Sequence, residues 1–155
     1  MSPPTLQRIA VAIDGSPNAD AALDLAIDLA HRYGGALEVL SVAPIVPVYL
    51  SPNEPYVTSG MPPSEMGHHE ELVKSAVHRA KAAGLSAVSG ITYEGVIPDE
   101  IVAHLERHPA DLLVVGSRGL STAKRLLLGS VSTAVVNRAP CPVLVVRPRP
   151  TAPGG

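Results

Sequence analysis

The sequence predicts an α/β domain: a doubly wound, five-stranded parallel sheet with helices on both faces. Three observations carry this. Short apolar runs alternate with longer helical stretches, in the order β-α-β-α-β-α-β-α-β. The apolar set is Val, Leu, Ile and Ala with no Phe and no Trp, the small branched side chains that suit strands covered on both faces. One apolar run ends in glycine and delivers the chain to a helix start, which is how α/β proteins hold phosphate.

The elements follow in order. Residues 9–13 form the first strand and end at Asp14-Gly15-Ser16. Ser16 is the N-cap of the first helix and Pro17 its first residue. Ala22, Leu23, Ala26, Ile27, Leu29 and Ala30 give that helix a broad apolar face, and Gly34-Gly35 stops it. Residues 36–42 form the second strand. Residues 43–63 read as a long loop, because Pro44, Pro47, Pro52, Pro55, Pro62 and Pro63 exclude a regular helix or an inner strand. A loop of that length in a compact domain is unusual and often functional. Residues 64–83 form the second helix, with Leu72, Ala76, Val77 and Ala80 inward and Gly84 at its close. Residues 87–93 give a weaker third strand at a sheet edge. Pro98 opens the third helix, Ile101, Val102 and Leu105 pack inward, and Pro109 ends it. Residues 112–115 form the fourth strand, and the fourth helix begins near Ser130. Residues 142–146 form the fifth strand between Pro140 and Pro148, and the tail from Arg149 frays.

At 155 residues with no internal repeat, one domain is expected over residues 1–155, with its core in 8–147 and its frayed tail in 149–155. The formal net charge of −2, without a run of five like charges, gives no electrostatic case for nucleic acid. Cys141 is the single cysteine, so no intrachain disulfide forms and a reducing compartment fits. Residues 1–8 lack the basic and apolar regions of a signal peptide. No apolar run approaches the roughly 20 residues of a membrane span. The expectation is a soluble, cytoplasmic protein with no membrane partner.

In open parallel sheets the ligand lies beyond the strand carboxyl ends, at the point where the strand order reverses. Two turns carry suitable residues there: Asp14-Gly15-Ser16, and Gly116-Ser117-Arg118-Gly119. If the first and fourth strands are neighbours, the two turns flank one crevice. With nine residues between, Gly119 is followed by Gly129-Ser130-Val131-Ser132, where a helix start offers free N–H groups and a hydroxyl. The glycines are expected to let the backbone approach a ligand and adopt positive φ. No G-x-x-x-x-G-K-[ST] pattern occurs, which excludes the P-loop nucleoside triphosphatases.

Structural readings stand beside these. Asp14 also suits a helix cap or a pinned turn. Lys124 and Arg125 suit either a phosphate or a solvated loop. His68, His69 and Glu70, with His78 further along, read as a solvated helix start, since adjacent residues point to different helix faces. His104 and His108 are four apart but lack a third ligand, and His108 suits the dipole of a last helical turn. Cys141 between two prolines reads as packed. No Ser/His/Asp or Cys/His set stands out and no general base is evident, so catalytic residues are not assigned.

The chain resembles the universal stress proteins, specifically their ATP-binding branch. The resemblance covers residues 8–147 and is carried by Val11-Ala12-Ile13-Asp14-Gly15-Ser16, by the segment from Asp111 to Gly119, by Gly129-Ser130-Val131-Ser132, and by Cys141-Pro142-Val143-Leu144-Val145-Val146. Gly, two residues, Gly, nine residues, Gly-Ser is that branch's nucleotide motif. The resemblance implies a sheet order of 3-2-1-4-5. It implies that Asp14, with Gly15 beside it, meets the ribose hydroxyls. The Val42 backbone would read the adenine edge with Ala12 packed nearby. Gly116, Ser117, Arg118 and Gly119 would line the phosphates, and Gly129, Ser130, Val131 and Ser132 would bind them from the helix start. Mg²⁺ or Mn²⁺ would ride on the phosphates with few protein ligands. The implied function is an ATP-binding stress-response regulator. A slow ATPase or adenine-nucleotide hydrolase is the alternative, and a ligand-free interaction module is the weakest reading. The apolar fifth strand, residues 143–146, reads as an exposed edge that pairs with its copy in a homodimer, as the family resemblance also implies.

Overall fold

The computed structural model describes residues 5–45, 63–118 and 128–149. The elements are β1 (Arg8–Ala12), α1 (Pro17–Tyr33), β2 (Ala36–Pro44), α2 (Pro63–Ala82), β3 (Val88–Gly95), α3 (Ile97–Arg107), β4 (Leu112–Gly116), α4 (Ser130–Arg138) and β5 (Val143–Val146). The strands form one parallel sheet in the order β3-β2-β1-β4-β5. That is the expected doubly wound fold. Each crossover needs a helix to return the chain to the same end of the sheet.

Strand alternation divides the core in two. Ile9, Val11, Leu37 and Val39 point to one face and pack against Leu23, Ala26 and Ile27 of α1 and Val73, Ala76 and Ala80 of α2. Ala10, Leu40 and Val42 point to the other and meet Ile101 and Leu105 of α3 and Val135 of α4. All of these side chains are buried. Leu72 and Val77, expected to face the core, pack at its margin.

Local chemistry sets the helix that flanks the first turn. The Ser16 side chain accepts the Ala19 N–H at 3.2 Å, so Ser16 is the N-cap the sequence predicts. At the other end Gly34 takes the left-handed conformation, φ 63°, that closes α1. Ser16→Ala is expected to cost about 1 kcal/mol in chemical denaturation, the usual worth of a hydroxyl N-cap; an unchanged midpoint would show that the cap does not hold α1. Arg79 of α2 pairs with Asp20 and Asp24 of α1. These exposed pairs add little stability, but they join α2 to the helix that follows β1. Asp111 accepts the N–H groups of Gln7 and Arg8, both at 2.9 Å, and so ties the start of β1 to the start of β4.

One expectation is corrected. Pro44 was assigned to a loop on the ground that proline excludes an inner strand, yet it ends β2, between β1 and β3 in the sheet. The β1 pairing stops at Leu40, while the β3 pairing continues to Pro44 opposite Gly95. At Pro44 the strand therefore has a neighbour on one side, where a missing N–H is tolerated. The rest of the expected loop, residues 46–62, lies outside the described residues. His104, for which the sequence suggests no contact beyond its spacing from His108, sits in a buried side-chain network. It is 1% exposed, with Tyr93 Oη 2.6 Å from Nδ1, and the Glu38 carboxylate against Nε2. Its ring stacks on His108 with centroids 4.7 Å apart. The network fastens α3 to β2 and β3 and leaves both ring nitrogens engaged. Cys141 packs at the margin of the α3/α4 core as expected, and partial burial pushes its thiol pKa up.

Candidate functional site

A cavity of about 310 Å³ opens at the carboxyl ends of β1, β2 and β4. β1 lies between β2 and β4, so this is where the strand order reverses. Of the residues predicted for the site, Ala12, Asp14, Val42, Gly116, Arg118, Gly129, Ser130, Val131 and Ser132 line the cavity. Gly15 and Ser117 do not form its wall, and Gly119 lies outside the described residues, as do Lys124 and Arg125.

The first turn is built by Asp14. Its Oδ1 accepts the Ser16 N–H at 2.9 Å. Gly15 between them has φ 84°, which glycine adopts without strain, and Leu72 of α2 packs against it. The local role of Asp14 in pinning the turn is thus realised, and Asp14 also lines the cavity. An ionised carboxylate is a double acceptor, suited to hydroxyl donors.

The second turn is built differently from expectation. Gly116 and Gly129 do not use positive φ. Gly116 is needed for close packing: a Cβ there would lie 2.8 Å from Asn18 C and 2.9 Å from Asn18 O, at the start of α1. Gly129 is the N-cap of α4 with φ −63° and ψ 160°, a conformation open to any residue. Ser117 is buried; its N–H donates to Val146 O at 2.9 Å and its carbonyl accepts the Gly129 N–H at 2.8 Å. The Ser132 hydroxyl donates to Gly116 O at 2.6 Å. These bonds hold the start of α4 against the end of β4. α4 has no side-chain cap, so the N–H groups of its first turn at Ser130, Val131 and Ser132 have no intrahelical acceptor. They give this end of the cavity a positive potential, which Arg118 on the same wall reinforces.

An apolar stretch of the wall is formed by Leu40 and Val42 of β2, Ile97 and Ile101 of α3, and Val115 of β4. A flat apolar ring fits such a slot, with hydroxyls toward Asp14 and an anion toward α4. Among the described residues, no group of three or more His, Cys, Asp or Glu side chains is arranged to hold a metal ion.

Two wall residues escaped the sequence reading. His68 and His69, expected on a solvated helix start, both line the cavity. His69 Nδ1 lies 2.8 Å from the Ser41 hydroxyl of β2, which donates to Ile13 O at 2.9 Å. Burial, then the neighbouring His68, holds the His69 pKa below its usual value, against an opposing pull from Asp14 and Glu65. The signal was present: position 69 lies three and seven residues before Leu72 and Ala76, on the inward stripe of α2. A second cavity, of about 330 Å³, sits at the amino ends of the strands between Arg8, Glu38 and His108, remote from these motifs.

Fold and site together define a doubly wound α/β protein whose polar turns converge on a cavity at the switch point of its sheet. The chain belongs to the universal stress protein family, whose profile matches residues 5–147. It is 34% identical over 147 residues to a putative universal stress protein of Staphylococcus haemolyticus, an alignment covering 92% of this chain and 86% of that one. Among solved structures it is similar to a universal stress protein of Lactobacillus plantarum, with a TM-score of 0.79, 25% identity, and coverage of 94% and 100% of the two chains. It is also similar to a universal stress protein solved in complex with cAMP, with a TM-score of 0.66, 29% identity, and coverage of 93% and 98%. Among the described residues, no helix is long and apolar enough to cross a membrane.

Proposed function

We propose that the switch-point cavity binds ATP, and that the protein is a nucleotide-dependent regulatory module of the stress response. One observation carries this reading: Asp14, an apolar slot, and the uncapped first turn of α4 meet in a single cavity. The slot between Val42, Ile97 and Ile101 takes the adenine, with the backbone of Val42 at its edge. Asp14 takes the ribose hydroxyls. The first turn of α4, with Arg118, takes the phosphates. The cAMP complex of the 29% identical relative supports an adenine nucleotide in this fold. Mg²⁺ or Mn²⁺ rides on the phosphates, held by phosphate oxygens and water more than by protein. Such a protein works in the cytoplasm, where ATP is abundant.

Occupancy biases the start of α2, whose His68 and His69 line the cavity, and so the surface offered to a partner protein. β5 ends the sheet, and pairing with β5 of a second copy closes that edge in a two-fold dimer. Sedimentation at micromolar concentration is expected to give a dimer; a monomer would overturn the edge pairing. Purified protein is expected to release an adenine nucleotide on denaturation, identified by absorbance near 260 nm and chromatography. The absence of Trp keeps the protein's own absorbance low. Protein that stays free of nucleotide and binds none when ATP is added would contradict the reading. Multiple turnover faster than about one per second, the low end of ordinary enzyme rates, would replace the regulatory reading with an enzymatic one.

A further inference from the structure

We propose that His69 is a ligand-contacting residue of this site, its Nε2 accepting a hydrogen bond from a sugar hydroxyl of the bound nucleotide. The inference rests on the nucleotide reading of the cavity. The chemistry starts at Ser41, whose hydroxyl carries one proton. That proton is committed to Ile13 O, a carbonyl that can only accept. Toward His69 the Ser41 oxygen is therefore the acceptor, and Nδ1 carries the hydrogen. A neutral imidazole has one N–H, so Nε2 is left as an acceptor. Its partner must be a donor, which a phosphate oxygen is not.

The surroundings select the donor. Asp14 lies close enough to act on the His69 charge, and one of its oxygens already holds the Ser16 N–H. A vicinal diol offers two O–H donors. The other Asp14 oxygen takes one and His69 Nε2 the other. The ring stays neutral near pH 7 because burial disfavours its charged form. The groups that face it are His68 and Glu65 on α2, Asp14 on the turn after β1, and Arg118 across the cavity. β2 presents the non-titrating Ser41. On β3, Tyr93 is held by His104 on the other sheet face, and Glu94 has a partner of its own. Asp20 and Asp24 of α1 are taken by Arg79 further along α2.

The test combines imidazole NMR with binding. In wild-type protein, ¹⁵N shifts of His69 are expected to report a proton on Nδ1, with the Nε2 shift moving when ATP is added. A proton on Nε2, or a shift that ATP leaves unchanged while it binds, overturns the proposal without any variant. His69→Ala is expected to weaken ATP about three- to tenfold, the worth of one hydrogen bond. It is also expected to erase the wild-type preference for ATP over its 2′-deoxy or 3′-deoxy analogue. Wild-type affinity should hold down to about pH 6.5, the ordinary histidine value, and fall below it, because the lowered His69 pKa lies there and a protonated Nε2 cannot accept; His69→Ala should not share that fall. Affinity that rises on acidification places His69 on the phosphates and overturns the proposal. If His69→Ala matches wild type in affinity and analogue preference while Gly129→Val fails to bind, His69 alone is wrongly assigned. If ATP does not bind wild type, the nucleotide reading falls; if it binds Gly129→Val equally well, the α4 end of the cavity is removed from the site; the inference falls with either.

Discussion

Gly116→Val is expected to destabilise the protein by about 3 kcal/mol, the upper range for forcing atoms into a packed interior. Even the Cβ would lie 2.8 Å from Asn18 C, 2.9 Å from Asn18 O and 3.0 Å from Ala19 N. These are backbone atoms in the first turn of α1, so no side chain can rotate away. Relief requires moving α1 from β4, and with it the Asp14-Gly15-Ser16 turn that α1 anchors. The measurement is urea unfolding, read as a lower midpoint with an unchanged slope. A midpoint equal to wild type would mean that the end of β4 and the start of α1 do not pack as described. On this account, the glycine that opens the phosphate motif serves the architecture of the cavity as much as any ligand.

Gly129→Val is expected to act in the opposite way, sparing the fold and removing the ligand. The N-cap conformation of Gly129, φ −63° and ψ 160°, is open to valine. Valine is a poorer cap, so a loss of about 1 kcal/mol or less is expected in the absence of nucleotide. Its side chain would project where Gly129 now lines the cavity beside Ser130 and Val131. Wild-type protein at ATP 100 times its dissociation constant gains about 2.7 kcal/mol of stability. The variant is expected to gain none, read as the absence of an ATP-dependent rise in melting temperature. A full rise in Gly129→Val would remove the α4 end of the cavity from the binding site.

The two substitutions show what the sequence reveals and what it hides. The alternation of strands and helices is local, carried by periodicity, by Ser16 and Pro17, and by Gly34. It was therefore legible. The strand order depends on non-local pairing, and it came from family resemblance and not from periodicity. Pro44 was misread because its tolerance depends on how far each neighbouring strand extends, which no local pattern records. Of the motif glycines, Gly116 and Gly129 line the cavity, and each glycine of the two turns has its own reason. Gly15 needs a left-handed backbone and Gly116 needs the absence of a side chain. His69 lies on the inward stripe of α2 by its spacing from Leu72 and Ala76, while its polar identity points to solvent. The Glu38–His104–Tyr93 network joins residues 66 and 11 positions apart on three elements, and only the packed fold brings them together.

The central claim is that ATP occupies the cavity between β1, β2 and α4. Amide chemical-shift mapping during an ATP titration tests it most directly. Saturable shifts are predicted at Asp14, at Val42, and at the α4 first turn of Ser130, Val131 and Ser132. Shifts confined to the opposite end of the sheet, around Arg8, Glu38 and His108, or no shifts at millimolar ATP, would contradict it.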